Sequence, residues 1–221
     1  MTAVNSFDWD EFWRTASGDA RETARPGRFD KSEQFERFFA RRGVPETVCS
    51  VGCGPADCEF ELARSYPDTA IDCYDTSEAI VKENHERAAE AGAENITFGV
   101  ATLPDPAITG QFDLVYCYAT LTYVRAVECA VENLYALVAP DGCLVFDYPN
   151  RHTRASYRGH LADGVPNPER FRERFGLVLD GENLLSHERI HDLLGRWPRS
   201  FYATVDRDDP PRDSPCVFVP K

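Results

Sequence analysis

Gly52, Cys53 and Gly54 follow directly on the apolar run ETVCSV, and a carboxylate, Asp75, lies 21 residues after Gly54, at the end of a second apolar run in IDCYDTSEAI. Glycines at a strand-to-helix turn accept positive φ and let a ligand approach with no Cβ in the way. The helix that follows offers unpaired N–H groups and a partial positive charge. A carboxylate at the end of the next strand can accept both hydroxyls of a ribose. The chemistry this spacing fits is the binding of a nucleoside. The third glycine of the dinucleotide fingerprint is missing, because position 57 is Asp; a nicotinamide cofactor needs close backbone approach to its pyrophosphate there. Asp75 also has a purely structural reading, as an acid before a helix capped at Ser77.

A second motif competes. His187-Glu188-Arg189-Ile190-His191 spells H-E-x-x-H, which on a helix can hold zinc and supply a base for hydrolysis. A zinc site of this kind needs a third protein ligand downstream, and Glu188 is the last Glu of the chain. Ile190, Leu193, Leu194 and Trp197 fall on one face of such a helix, with Pro198 as its stop. The motif therefore reads as an amphipathic structural helix with no metal site.

The elements that must position these residues alternate. ETVCSV, TAIDCY, NITFGV, FDLVYCY and CLVFDY are short apolar strands. Helices over 57–66, over SEAIVKENHERAAEAG and over RAVECAVENLYALVAPDG separate most of them, the last stopping at Pro140, Asp141 and Gly142. Strands apolar throughout and alternating with helices predict a mostly parallel sheet covered on both faces. FYATVD and CVFVP follow as two strand-like runs joined by a polar loop, which predicts an antiparallel pair. Residues 1–45 read as an aromatic, helical cap segment in which ARETARPGRFDKSE is a loop. Residues 46–221 form the main domain, with 151–182 as an insertion on the substrate side.

With these motifs in place, the chain resembles the class I S-adenosylmethionine-dependent methyltransferases. The resemblance rests on VCSVGCGPADCEFELA, on YDTSEAI after the second strand, on FDLVYCYATL at the fourth, and on the closing antiparallel strands. It implies a Rossmann-like three-layer α/β/α sandwich: a seven-stranded, mostly parallel sheet whose last strand is antiparallel. It implies S-adenosylmethionine as cofactor, with Gly52, Cys53 and Gly54 along its methionine part, Asp75 on the ribose, and Thr76, Ala101 and Thr102 around the adenine. Tyr118 would sit near the sulfonium and Tyr123 would touch the acceptor; Thr120, Asp147 and His152 are weaker candidates. Two positions depart from the pattern. Ser50 stands where the family often has an acid, and Ala101-Thr102 where it often has Asp.

Methyl transfer needs alignment above all, so no fixed triad is expected. The Asn-Pro-Pro-Tyr type motif of nucleic-acid and protein amide methyltransferases is replaced by YATL, and the net charge of −13 repels phosphate backbones. Both features favour a small-molecule acceptor over nucleic acid. Six Arg against three acids in residues 151–174 make an anionic acceptor possible in principle, beside the simpler reading of a solvated face. No run is long and apolar enough to span a membrane, no leader is visible at the N-terminus, and eight cysteines without a C-x-x-C pair suit a reducing, cytoplasmic setting. The oligomeric state is not written in these features. Two alternatives stand beside the leading reading: a nucleoside-binding regulatory module without turnover, and a nicotinamide oxidoreductase.

Overall fold

A computed structural model describes residues 7–24 and 31–221. In chain order the elements are α1 (Trp9–Thr15), α2 (Gly18–Ala24), α3 (Lys31–Arg42), β1 (Thr47–Val51), α4 (Asp57–Ser65), β2 (Ala70–Asp75), α5 (Glu78–Ala91), β3 (Ile96–Val100) and β4 (Phe112–Cys117). A 3₁₀ turn at Leu121–Tyr123 leads to α6 (Val127–Ala136), β5 (Val138–Asp147), α7 (Arg151–Asp163), α8 (Pro168–Asp180), α9 (His187–Leu194), β6 (Arg199–Ser200), α10 (Phe201–Thr204) and β7 (Cys216–Pro220). The seven strands run in the order β3-β2-β1-β4-β5-β7-β6. The first five are parallel, and β7 lies antiparallel to both of its neighbours. This is the mostly parallel sheet expected from the strand pattern and the Rossmann-like α/β/α sandwich that the resemblance implies.

The side-chain period of two explains why the strands look apolar throughout. In β5, Cys143 and Val145 join the core on one face of the sheet and Leu144 and Phe146 the core on the other; Cys216, Phe218, Val217 and Val219 divide in the same way in β7. Phe35, Phe38 and Phe201 cover the first face; Val131, Leu134 and Ile190 cover the second. The eight cysteines are free thiols. Those on the strands are buried, as small apolar residues would be; Cys129 is exposed.

Three expectations are corrected. FYATVD is not a strand: β6 is only Arg199–Ser200, and the run turns into α10 because the Ser200 hydroxyl caps the Ala203 N–H at 3.1 Å. Phe201 and Tyr202 are both buried, so the run is apolar without alternating. The predicted loop begins as helix, since Ala20 and Ala24 pack on the Phe12, Trp13 and Ile80 cluster and Arg21 pairs with Glu83 at 2.9 Å; residues 25–30 of that loop, and residues 1–6, lie outside the described residues. Finally, α6 ends at Ala136, four residues before Pro140, because Val138 already pairs with Phe112 in the sheet.

Residues 151–182 form two helices, α7 and α8, capped by Asn150 and Asn167. At the other end, α1 is fastened to the start of α5. Asp10 accepts from the Ser77 hydroxyl at 2.9 Å and from the Ala79 N–H at 3.0 Å, and these donors hold its carboxyl below the usual range.

Candidate active site

The order of the sheet reverses between β1 and β4, and in open α/β sheets ligands bind outside the strand ends at such a point. The turn after β1 is built for close approach there. Gly52 and Gly54 have φ of 80° and 52°. The N–H groups of Gly52 and Cys53 both donate to the Tyr74 carbonyl, and Asn84 Nδ2 donates to the Gly54 carbonyl at 2.7 Å. Asp75 closes the arrangement from β2. One carboxylate oxygen accepts the Gly54 N–H at 2.8 Å and the other the Ser77 N–H at 3.0 Å. A carboxylate has about four lone-pair sites, so the N–H groups of Gly54, Ser77 and Thr76 leave room for a further donor. Burial raises the Asp75 pKa, opposed by the Ser77 and Gly54 N–H groups.

These groups face one cleft at the strand ends. Gly52, Cys53, Gly54, Asp75, Thr76, Ala101, Tyr118 and Tyr123 all line it. Thr102 does not; it is exposed, and its hydroxyl pairs with that of Thr76 at 2.7 Å. Thr120, a weaker acceptor-side candidate, lines it too, and so do residues that sequence reasoning did not name, among them Trp9 and Trp13 from α1 and Leu103. The aromatic run at the N-terminus was the available signal for the tryptophans, but nothing in the sequence shows that α1 folds over β1. The first turn of α4, which faces the same strand ends, carries Asp57 and Glu59.

Ser50 lacks the carboxylate often found at its position, yet a carboxyl reaches it from α4. The Ser50 hydroxyl donates to Glu59 Oε1 at 2.6 Å, and Glu59 is buried. Burial pushes the Glu59 carboxyl up to about 7. Between the ordinary Glu value and pH 7 the folded chain therefore holds a proton that the unfolded chain has lost, so stability falls as pH rises across that window and stays at the lower level above it. Glu59→Gln keeps an oxygen to accept from Ser50 and removes the charge. The variant is expected to match the parent protein at pH 5 and to melt higher at pH 8, on the order of 5 °C. Thermal unfolding at the two pH values checks this, and an equal shift at both would contradict it.

A second chamber adjoins the first through Tyr118, Ala119 and Tyr123, which line both. Its other walls include Asp147 at the end of β5, Tyr148, Thr153 and Tyr157 of α7, Asp213 and Ser214. Ala119 holds a left-handed φ of 54°, and its N–H donates to Asp147 Oδ1 at 2.7 Å. Tyr123 stands with its ring edge-on to Trp9 at 4.8 Å and its hydroxyl accepting from Arg174 Nε at 3.2 Å. Burial raises the Tyr123 pKa, so the phenol stays neutral and acts as a wall between the chambers. His152 lies at the start of α7 with its ring near Arg151.

The arginines of 151–174 are mostly structural. Arg154 and Arg158 donate to the Leu179 carbonyl and Arg154 also to that of Asp180, closing the end of α8. Arg174 lies against Trp9, Tyr123 and Phe175. No Lys, Arg or His is among the described residues that line the second chamber, so the basic stretch does not deliver the anion-binding wall that its composition suggested.

The H-E-x-x-H run is α9. Ile190 is fully buried, Arg189 forks onto Glu128 of α6 with two 2.6 Å bonds, and His191 stacks on Trp197 at 4.1 Å while His187 lies by Tyr148. The helix ends at Gly195 in a left-handed turn, ahead of Pro198, and Trp197 is exposed and outside it.

Comparison with known proteins agrees with this geometry. A family model described as a methyltransferase domain matches residues 49–144, from β1 into β5. The chain is 28% identical over 131 residues to the trans-aconitate 2-methyltransferase of Variovorax paradoxus, a match covering 58% of this chain and 49% of that protein. To the trans-aconitate 2-methyltransferase of Methylobacterium nodulans it is 30% identical over 164 residues, covering 74% and 59%. The chain thus spans about half the length of these curated relatives. The structure of magnesium protoporphyrin IX methyltransferase from Synechocystis PCC 6803 with bound SAH shares the fold, with a TM-score of 0.63 at 16% identity over 96% of this chain and 97% of that one. Taken with the glycine turn and the carboxylate at the end of β2, these likenesses show that the chain belongs to the class I S-adenosylmethionine-dependent methyltransferases.

Proposed function

We propose that this chain transfers a methyl group from S-adenosylmethionine to a small-molecule acceptor. The observation that carries the reading is the Asp75 carboxylate, held toward the cleft by the Gly54 and Ser77 N–H groups. The residues present fit the cofactor. Asp75 would take the ribose hydroxyls, Gly52, Cys53 and Gly54 the methionine part, Thr76, Ala101 and Leu103 the adenine, and Tyr118 and Ala119 would border the sulfonium. When bound, the cofactor supplies an electrophilic methyl on a positively charged sulfur.

The remaining task belongs to the chain. Trp9 and Trp13 line the cleft from α1, and α7 lines the acceptor side through Thr153 and Tyr157. Alignment of the nucleophile at the junction by Tyr118 and Ala119 accounts for most of the acceleration, with effective molarity contributing about 7–11 kcal/mol. A small metabolite, with neither nucleic acid nor membrane as partner, is the acceptor in this reading; the net charge of −13 supports it. No described helix is long and apolar enough to cross a membrane. A cytoplasmic setting completes the reading, supported by eight free thiols.

Calorimetry with S-adenosylhomocysteine, followed by radiolabelled methyl transfer over metabolite pools, tests the proposal. Binding and transfer are the expected results. Binding with no transfer would favour a regulatory module, and binding of NADH in place of S-adenosylhomocysteine would overturn the reading.

A further inference from the structure

We propose that Asp147 is the proton acceptor of the transfer, and that the acceptor is a small amine or phenol, not a carboxylate. The inference rests on the methyl-transfer reading above and concerns the second chamber. That chamber exposes two carboxylates, Asp147 and Asp213, and its described lining holds no cationic side chain. An anionic acceptor would meet like charge at close range with nothing to offset it. Tyr118, Tyr123, Tyr148 and Tyr157 line the same space. Aromatic walls with carboxylates between them suit an organic cation or a flat phenol.

Asp147 stands at the junction of the two chambers. Its Oδ1 is fixed by the N–H of Ala119, a residue that lines both chambers, and the Ser214 hydroxyl bonds its carboxylate as well. A nucleophile presented to the cofactor cleft from the second chamber therefore passes beside this carboxylate. An amine reacts as its free base, its ammonium proton having gone to solvent; the acceptor's lone pair closes on the methyl carbon, the carbon–sulfur bond breaks with its pair going to sulfur, and the remaining N–H or O–H proton passes to Asp147. A carboxylate acceptor has no proton to give and would leave Asp147 without a task.

The electrostatic setting keeps Asp147 usable as a base. Burial pushes its carboxyl up to about 6, opposed by the Ala119 N–H and by Lys31 of α3. Lys31 is itself buried, with Nζ 3.3 Å from the Tyr118 ring centroid and no hydrogen-bond partner among the described residues; burial lowers it to about 8. Cys216 of β7 and Tyr202 of α10 also face this group, and burial raises both so that they stay neutral. Tyr118 and Tyr157 are raised in the same way. Asp213 adds a negative charge from the loop before β7. Asp147 is thus ionised at neutral pH and loses its capacity to accept a proton as the pH falls through about 6.

Protein loaded with S-adenosylhomocysteine is titrated calorimetrically with benzylamine, p-cresol, malonate and trans-aconitate, and so is the Asp147→Asn variant, whose amide oxygen still accepts from Ala119. Binding of benzylamine or p-cresol at least tenfold tighter than either acid, and a tenfold or greater loss for the bound probe in Asp147→Asn, is expected. With the bound probe as methyl acceptor, kcat is expected to rise about tenfold per pH unit below pH 6 and then level off, and to fall at least 100-fold in Asp147→Asn. Tighter binding of the acids, absence of binding by both benzylamine and p-cresol, or indifference to Asp147→Asn overturns the inference. S-adenosylhomocysteine binding by both proteins, measured first, separates these outcomes from failure of the methyltransferase reading itself.

Discussion

Asp75→Asn is expected to weaken S-adenosylhomocysteine binding by about 100-fold or more, measured by calorimetry. The carboxylate has to satisfy two kinds of partner at once. The two oxygens already accept the N–H groups of Gly54 at 2.8 Å and Ser77 at 3.0 Å, and the carboxylate would also accept from the ribose. Hydrogen bonds to a charged group are worth about 1.5–3 kcal/mol each, and every 1.4 kcal/mol is tenfold in affinity. The amide replaces one acceptor oxygen with a donor that opposes a backbone N–H, so the turn after β1 loses its anchor as well. Asp72, on the same strand, accepts from Thr97 at 2.8 Å and does not line the cleft. Asp72→Ala is the matched control, expected to keep the affinity within about twofold, as surface substitutions away from a site commonly do. Equal losses in the two variants would mean that β2 and not the ribose contact had been damaged.

The second large effect is expected at Gly52. A Cβ there would lie 2.1 Å from Thr120 Oγ1 and 2.8 Å from Thr120 Cβ, and the φ of 80° is unfavourable for any residue with a side chain. Thr120 cannot simply swing away, because its one hydroxyl proton is held between the carbonyls of Tyr118 at 3.0 Å and Gly52 at 3.3 Å. Gly52→Ala should therefore push the Tyr118–Tyr123 segment out of the shared wall, costing about 2–4 kcal/mol of stability and most of the cofactor affinity. Gly54→Ala should be milder, at about 1 kcal/mol, since its Cβ would meet only Trp13 at an ordinary 3.5 Å. The double change Gly52→Ala with Thr120→Gly should recover part of the loss, leaving the backbone strain. Denaturant unfolding with and without S-adenosylhomocysteine measures all three. A Gly52→Ala protein as stable and as tight-binding as its parent would refute the close approach at Thr120.

Those two glycines show where legibility ended. In the sequence they are a symmetric pair around Cys53, and both read as ligand-facing. In the fold Gly52 is constrained by a neighbouring segment 68 residues away, a contact that no local pattern announces. The parallel strands were legible because residues buried on both faces leave an unbroken apolar run, and Asp75 was legible because strand, turn and helix lengths set its distance from the turn. FYATVD misled for the same physical reason: aromatic and β-branched residues look like a strand wherever they are buried, and the cap at Ser200 decided for a helix. Glu59 reaching Ser50, and Lys31 lying over Tyr118, depend on how helices pack across the sheet. Composition could say only that a chain with three lysines had few to place. The arginines of α7 and α8 suggested an anion site, but two of them, Arg154 and Arg158 of α7, are tied to the carbonyls at the end of α8.

A crystal structure of the complex with S-adenosylhomocysteine tests the central claim most directly. The account predicts both ribose hydroxyls on the Asp75 carboxylate, the amino-acid end along Gly52 to Gly54, and the sulfur turned toward Tyr118 and Ala119. Ligand density elsewhere on the protein, or a ribose facing away from Asp75, would contradict it.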